Sequence, residues 1–371
     1  MNFDFPDELK QLRAEARRFL ADRCPPAAAR RALEGAPLDR ALWSELAAMG
    51  WVGAALPERH GGAGLGQLAL CVLSEELGRS LAPLPWASSV CQAGEALAAF
   101  GSPAQQAHWL PRLAAGEAMA TLALAAGPGP FDPARLAGGV ASGRITTTRL
   151  AVPDALGADL FLVAAPGPGS LLWLVARDAP GVTVSPAEGI DPTRPIGRLD
   201  LRDAPAEPLP GAADPTALRR LIDRAAVLAA FEQLGTAEAA LAMATDYARE
   251  RYAFGRPIGS FQAIKHKLAD VYIAVELARS NACYGAWALE ADSAELPVAA
   301  AVARIAGCEA GWIATRENIQ THGGMGFTWA YDCHLYYRRA RAQALALGSA
   351  REWKHRLIDL LAARNRPDRP E

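Results

Sequence analysis

The chain has 371 residues, of which 51% are hydrophobic and 21% are charged, and its formal net charge is −2. This length is enough for two or three domains, or for one large unit with an ample core. The composition is that of an ordinary globular protein. The near-neutral charge offers no basic footprint for nucleic acid or for an anionic membrane surface.

Cysteine usage and the N-terminus indicate the cellular environment. Six cysteines are scattered without CxxC spacing, which predicts reduced thiols and neither a disulfide framework nor a metal site. The first residues, beginning Met1-Asn2-Phe3-Asp4, are polar and acidic and do not resemble a signal peptide. No apolar run approaches the roughly 20 residues that span a bilayer. A cytoplasmic protein without a membrane partner is expected.

Residues 7 to about 115 are predicted to be mainly helical. Asp7 can cap a first helix, and apolar residues from Leu9 to Phe19 recur at three- and four-residue spacing. From Ala120 to Gly211, glycine and proline become dense and short apolar runs alternate with turn signals. That pattern predicts a β-sandwich or barrel.

Helical periodicity returns at Thr216 and favours a bundle of four long helices. The helical segments are expected near residues 216–252, 259–291, 296–321 and 343–363. The predicted domains are 1–118 (helical), 119–212 (β) and 213–371 (helical bundle).

The segment from Arg251 to Gln262 is the most informative part of the chain. It joins a guanidinium, an aromatic ring, two glycines and an amide within twelve residues. A guanidinium can bind pyrophosphate in a bidentate manner, a phenyl ring can pack on a flat ring, and glycine lets backbone come close. The pattern indicates a ligand with both phosphate and a ring, although the segment alone is equally consistent with a plain helix-to-helix turn.

A second segment, Gln320-Thr321-His322-Gly323-Gly324-Met325-Gly326-Phe327, accompanies the first. Together with the helical–β–helical order, the two segments resemble the acyl-CoA dehydrogenase family. The resemblance extends over nearly the whole chain, including Trp51-Val52-Gly53 and Glu75-Glu76-Leu77-Gly78-Arg79. It implies an α+β fold with an N-terminal helical domain, a middle β-barrel or sandwich domain and a C-terminal four-helix bundle.

The resemblance also implies a tetramer built from two tight dimers, with FAD between the β domain and the C-terminal helices. Family members use the Arg, Phe and Gln of the first segment to grip the FAD of a neighbouring subunit. The positions that match cofactor contacts here are Arg251, Phe254, Gln262, Gln320, Gly323, Gly324 and Ser349. His322 is expected to have a packing or cofactor-contact role, and the run Arg338-Arg339-Ala340-Arg341 to form a solvated face or an intersubunit contact.

The reaction that the resemblance implies is α,β-dehydrogenation of an acyl-CoA thioester. A carboxylate takes the α-proton while the β-hydrogen leaves as hydride to the flavin, and the base works in an apolar cleft that raises its pKa. Electron-transfer flavoprotein is the expected electron acceptor. Asp223 and Arg224 match positions that contact CoA.

The chain departs from the family pattern where the base should stand. The usual glutamate position is Leu347, and the alternative position on the preceding long helix is Ala225. Three explanations remain open: the alignment slips, another carboxylate such as Glu232 acts, or the chain does not abstract protons itself. Glu232 lies seven residues after Ala225, about two helical turns away. In the third case the chain is the partner subunit of a heteromer. The expected assembly is a homotetramer or a heterotetramer with another acyl-CoA dehydrogenase subunit.

The flavin-facing segments of the β domain also differ from the family pattern. Ala125 to Asp132 replaces a Thr-Glu-Pro-Gly segment, and Thr146 to Val152 replaces a Trp-Ile-Thr segment. These changes put FAD binding at the chain's own site in question. The segment from Arg251 to Gln262, which would reach the FAD of a neighbouring subunit, could remain functional. A related flavoprotein or CoA-ester lyase is a third possibility. A bulky acyl group, such as a steroid side chain, is an expectation from the resemblance to paired subunits.

Overall fold

A computed structural model describes residues 5–126 and 131–365. The chain forms two compact units. Unit 1 comprises Met1–Ala21, Ser74–Leu81 and Ala226–Glu371, and unit 2 comprises Asp22–Leu73 and Ala82–Ala225. The domain boundaries predicted at residues 118 and 212 remain a prediction.

The N-terminal third and the C-terminal part are helical, as predicted. The helices are α1 (Asp7–Arg23), α2 (Pro26–Leu33), α3 (Arg40–Ala48), α4 (Gln67–Arg79), α5 (Glu95–Phe100), α6 (Pro103–Ala114), α7 (Pro215–Glu250), α8 (Gln262–Glu290), α9 (Leu296–His322), α10 (Cys333–Ala346) and α11 (Ala350–Arg364). A π-helical segment, Trp86–Gly94, precedes α5. Local sequence fixes several helix starts: α6 begins with a capping box in which Ser102 and Gln105 bond each other's backbone.

The middle of the chain is a β-sandwich in unit 2. Its strands are β1 (Ala120–Ala123), β2 (Gly139–Ala141), β3 (Arg144–Pro153), β4 (Leu160–Gly167), β5 (Ser170–Ala176), β6 (Val182–Ala187), β7 (Ile196–Pro205) and β8 (Glu207–Pro208). One sheet has the order β1-β4-β5-β8 and the other β2-β3-β7-β6. Strands β1 and β4 pair in parallel, and the remaining pairs are antiparallel. Both sheets contribute to one apolar core, for example Phe161 and Trp173 from one and Ile145 and Leu199 from the other.

An arginine is buried in this sandwich. Arg149 on β3 is 1% exposed and donates to the carbonyl oxygens of Ala137, Thr148 and Ala164 and to the hydroxyl of Thr147. These acceptors are all neutral, and burial lowers the pKa of Arg149 to about 10. The guanidinium fork thereby joins β3 to β4 and to the segment before β2.

In unit 1, two glycines allow the end of α4 to cross α7 at close range. A Cβ on Gly78 would lie 2.0 Å from the carbonyl oxygen of Glu232, and one on Gly235 would lie 1.8 Å from that of Glu75. Only glycine fits where two helix backbones approach this closely. Glu75 and Glu76, both 1% exposed, bond to arginines of α1 and α8 around this crossing.

The prediction of one helix at 343–363 is wrong in detail. The chain forms α10 and α11, which are separated at Leu347–Ser349. Gly348 has a φ of 89°, and Ser349 caps α11 with Glu352 in a capping box, so the sequence stops one helix and starts another within three residues.

The segment Leu296–Phe327 is long and apolar enough to cross a membrane by length and composition. However, 56% of its most apolar stretch is buried inside the protein, as expected of a core helix.

Candidate cofactor-binding and catalytic site

The segment Arg251–Gln262, called the hairpin arm below, projects from the end of α7. Two short strands, β9 (Tyr252–Ala253) and β10 (Arg256–Pro257), pair in an antiparallel hairpin. Phe254 and Gly255 form its two-residue turn with φ values of 52° and 75°, the left-handed pair that suits the twist of a hairpin. The turn leaves Phe254 95% exposed at the tip. A positive φ is uncommon for a residue other than glycine, so the hairpin turn holds the Phe254 backbone in a conformation that phenylalanine rarely adopts.

The base of the hairpin arm is tied to its neighbours. The backbone N–H of Arg251 donates to the carbonyl of Tyr247 (2.9 Å), and Ile258 N–H donates back to the carbonyl of Arg251 (2.7 Å). Both the Arg251 side chain and Gln262, at the start of α8, are exposed. The cation, ring and amide predicted to bind a cofactor are therefore all accessible on one short segment.

The second predicted segment begins at the end of α9, also in unit 1. Gly323, with a φ of 60°, ends the helix, and a 3₁₀ turn runs over Gly323–Phe327. A Cβ added to Gly323 or Gly324 would meet no atom within 4 Å, so both backbones face open space. Gln320 is exposed one turn earlier. Glycine backbone open to approach, beside an exposed amide, suits a ligand that lies against the main chain.

His322 is not placed for proton transfer. It is 5% exposed, its Nδ1 donates to the carbonyl of Asn318 (2.9 Å), and its ring stacks on Tyr247. Burial lowers the pKa of His322. The imidazole of His322 therefore packs as a neutral ring, which is consistent with the predicted packing or cofactor-contact role.

Leu347, the position predicted for the usual base, lies at a helix end. Leu347 is half-buried at the C-cap of α10, and its carbonyl accepts from the indole N–H of Trp353 (2.9 Å). The neighbouring Ser349 hydroxyl accepts the N–H of Glu352 (3.3 Å) as the cap of α11. Leu347 offers no group that can take a proton.

The alternative base position and the predicted CoA contacts lie in unit 2. Ala225 is 3% exposed, and Asp223 is 1% exposed. Arg224 donates to Glu95 (2.8 Å), whose other carboxylate oxygen accepts from Gln67 (3.2 Å). Glu95 is a buried acid that motif analysis missed, because its partner is 129 residues away in the sequence.

Glu232, the other predicted base, lies in the interior of unit 1. Its carboxylate oxygen Oε1 is 3.7 Å from Nη1 of Arg339, and the side chains are 5% and 1% exposed. Arg339 also donates to the carbonyl of Leu81 (3.1 Å). The prediction that Arg338–Arg341 forms a solvated or intersubunit face is therefore wrong for Arg339, which serves a buried carboxylate. A guanidinium at this distance restrains the carboxylate side chain.

The structure describes only part of the two segments that are predicted to face the flavin. Residues 127–130 of the first segment lie outside the described residues. In the second segment, the Thr146 hydroxyl accepts a hydrogen bond from the N–H of Asp203, and the Thr147 hydroxyl accepts one from Arg149. The Thr148 hydroxyl donates to the carboxylate of Asp200. Each of these hydroxyls is engaged within the sandwich. Among the residues with described positions, no group of three or more His, Cys, Asp or Glu side chains is arranged to hold a metal ion.

Comparison with known proteins identifies the family. The N-terminal domain of acyl-CoA dehydrogenase matches residues 6–117, and the C-terminal domain matches residues 216–355. The chain belongs to the acyl-CoA dehydrogenase family. The predicted fold class is confirmed. Members of this family are enzymes that dehydrogenate acyl-CoA with FAD as cofactor.

Individual relatives cover almost the whole chain. Acyl-CoA dehydrogenase IpdE2 of Mycobacterium tuberculosis is 37% identical over 361 residues, 95% of this chain and 96% of the relative. The Tcur3481–Tcur3483 steroid ACAD is 36% identical with a TM-score of 0.86, covering 96% of this chain and 98% of that one. A chain of the ChsE4–ChsE5 complex from Mycobacterium tuberculosis is 31% identical with a TM-score of 0.89 and full coverage of both chains.

The residues of unit 1 fit FAD on their own chemistry. Arg251 has an exposed guanidinium that would suit pyrophosphate, Phe254 has an exposed ring that would suit a flat ring, and Gly323 and Gly324 offer an open backbone surface. When bound, FAD supplies the hydride acceptor of the reaction. Neither of the two positions predicted for the base, Leu347 and Ala225, carries a carboxylate.

Proposed function

We propose that this chain is the partner subunit of a heterotetrameric, FAD-dependent acyl-CoA dehydrogenase. Its hairpin arm and the Gly323–Gly324 backbone complete the FAD site of an adjoining subunit, and that subunit provides the base. The observation that carries the proposal is the pair of apolar residues, Leu347 and Ala225, where a glutamate should stand. A side chain without a titratable group cannot act as a general base.

The alternative is that Glu232 acts as the base of an active lone chain. Its buried pairing with Arg339 argues against this role, because a base must be free to move towards the substrate and to accept a proton. The pairing supplies a structural reason for a buried carboxylate at this position. Glu232 therefore ranks second.

Exposed apolar side chains on unit 1 support assembly. Phe254, Tyr252 and Phe327 are 95%, 64% and 88% exposed on the two cofactor segments, and Trp329, two residues after the second segment, is 53% exposed. On α8, the exposed apolar side chains are Tyr272, Ile273 and Leu277. Large apolar groups concentrated on one unit mark an interaction surface. Two of the solved relatives carry paired names, Tcur3481–Tcur3483 and ChsE4–ChsE5, and the second is a complex.

We propose the finer assignments from the resemblance of the two segments to the family pattern. We assign Gln262, Gln320 and Ser349 to FAD, Asp223 and Arg224 to CoA, electron-transfer flavoprotein as the electron acceptor, and the cytoplasm as the location. A bulky acyl group is the proposed substrate, since one similar structure is named a steroid ACAD. Arg224 would contact CoA only by sharing or leaving its bond to Glu95.

The test compares the chain purified alone with the chain co-expressed with a second acyl-CoA dehydrogenase subunit. The lone chain should be colourless, and the co-purified assembly should be yellow and should bleach with acyl-CoA. In the assembly, Arg251→Ala should weaken FAD binding about tenfold or more, since it removes a charged phosphate contact. Arg249→Ala, which removes an exposed cation two residues away, is the matched control. A yellow lone chain that bleaches with acyl-CoA would show that the proposal is wrong.

A further inference from the structure

A cluster of three aromatic rings in unit 1 joins the two cofactor segments. The ring of Tyr247, in the last turn of α7, stacks on His322 with centroids 4.0 Å apart and planes inclined by 25°. Tyr331 packs against both rings at steep angles, with centroids 5.5 Å from His322 and 6.1 Å from Tyr247. Offset stacking and edge-to-face packing are the favoured arrangements of aromatic pairs.

The covalent neighbours of these rings give the cluster its significance. Tyr247 holds the backbone of Arg251 through its carbonyl oxygen (2.9 Å), so it sits at the base of the hairpin arm. His322 directly precedes Gly323, where the open backbone surface begins. Movement of one ring would displace a segment that is assigned to FAD.

A second contact one helical turn earlier restrains the same two helices. The Asn318 amide donates to the sulfur of Met243 (3.2 Å), and Asn318 in turn accepts from His322 through its carbonyl. Met243 and Tyr247 are four residues apart on α7, as are Asn318 and His322 on α9. The helix ends are therefore paired at two successive positions on one face.

We propose that the Tyr247–His322–Tyr331 cluster is a positioning device that holds the hairpin arm and the Gly323–Gly324 backbone as one preformed FAD-gripping surface. The inference rests on the proposed function of these segments. A preformed surface loses less conformational entropy on binding, so the cluster raises affinity without touching the cofactor. His322 acts through its ring as a spacer and not through a proton.

Ring-preserving and ring-removing variants of the assembled protein test this role, with FAD itself as the probe. His322→Ala should weaken FAD binding about tenfold, and Tyr247→Leu should act similarly. His322→Phe and Tyr247→Phe keep a ring and should remain within about threefold of the natural protein. Tyr337→Leu is the matched control, because it removes a ring contact with Trp312 (5.8 Å), which lies on α9 ten residues before His322.

A mutant cycle separates positioning from general structural damage. In the natural background, Arg251→Ala and Gln320→Ala should have non-additive effects on FAD affinity, because they act on one rigid surface. In the His322→Ala background the two effects should become additive. Thermal unfolding of each variant establishes that the protein remains folded.

The outcomes distinguish this inference from the function on which it rests. If Arg251→Ala leaves FAD affinity unchanged, the proposed function is wrong and the inference falls with it. If Arg251→Ala weakens FAD binding while folded His322→Ala does not, only the positioning role is wrong. If His322→Phe loses as much affinity as His322→Ala, the imidazole has a polar role and the proposed ring-spacer role is overturned.

Discussion

The buried pair of Glu232 and Arg339 decides between the two functional readings. With Oε1 3.7 Å from Nη1, the Coulomb attraction at an effective dielectric constant of about 20 is about 4 kcal/mol. Desolvation of both groups offsets much of this attraction, so the pair contributes little compared with two apolar residues. Removing one partner costs more, because the other charge remains buried.

Glu232→Gln should therefore destabilise unit 1 by about 3 kcal/mol, since it leaves Arg339 buried at 1% exposure without its carboxylate. For a unit of 150–250 residues this corresponds to a fall in melting temperature of about 6–12 °C. The double variant Glu232→Met, Arg339→Met should recover to within about 1 kcal/mol of the natural protein. Urea unfolding followed by tryptophan fluorescence measures each value.

The same variants report on catalysis. In the assembled enzyme, Glu232→Gln should bleach flavin with acyl-CoA at a rate close to that of the natural protein per folded molecule. Glu309→Gln is the control, because its pair with Lys354 is more than half exposed and should contribute less than about 1 kcal/mol. If Glu232→Gln unfolds like the natural protein but no longer bleaches, the pair is not structural and Glu232 is the base.

Three other groups give independent predictions. Arg149→Met should destabilise unit 2 by about 2 kcal/mol or more in urea unfolding, because buried acceptors lose their donor, and Arg149→Lys should recover only part of that loss. Burial lowers the pKa of His322 below its usual 6.5. The contribution of His322 to the free energy of unfolding is therefore complete above pH 6.5 and falls as the pH drops below that value. His322→Phe should remove this part of the pH dependence of stability. Burial raises the pKa of the Cys333 thiol to about 11, so iodoacetamide at pH 8 should modify the half-buried Cys283 well before Cys333.

Sequence patterns predicted what local spacing can encode. Helical periodicity and the Gly/Pro-rich centre identified the helical–β–helical order, and all six cysteines are free in the structure. The two motifs identified the family because close backbone approach and phosphate binding restrict residue types at short range.

Long-range pairing was beyond these patterns. Arg339 looked solvated within a run of arginines, yet its partner Glu232 is more than 100 residues away on another helix. Glu95 and the rings that surround His322 were missed for the same reason. A buried charge or a packed histidine is recognised only when the element opposite is known, since periodicity reports one face of one helix.

The exposed hairpin arm and the apolar residues at the predicted base positions together favour shared catalysis. The residues that could reach another subunit, Arg251 and Phe254, are exposed on a hairpin whose turn requires two left-handed residues. The residues that would serve the chain's own site are apolar at Leu347 and Ala225, and the hydroxyls of Thr146–Thr148 are engaged within the sandwich. A working site in this chain needs a base, whereas a contribution to a partner's site needs only the hairpin arm and its support. The Tyr247–His322 stack belongs to that support, which gives a neutral, buried histidine a function without proton transfer.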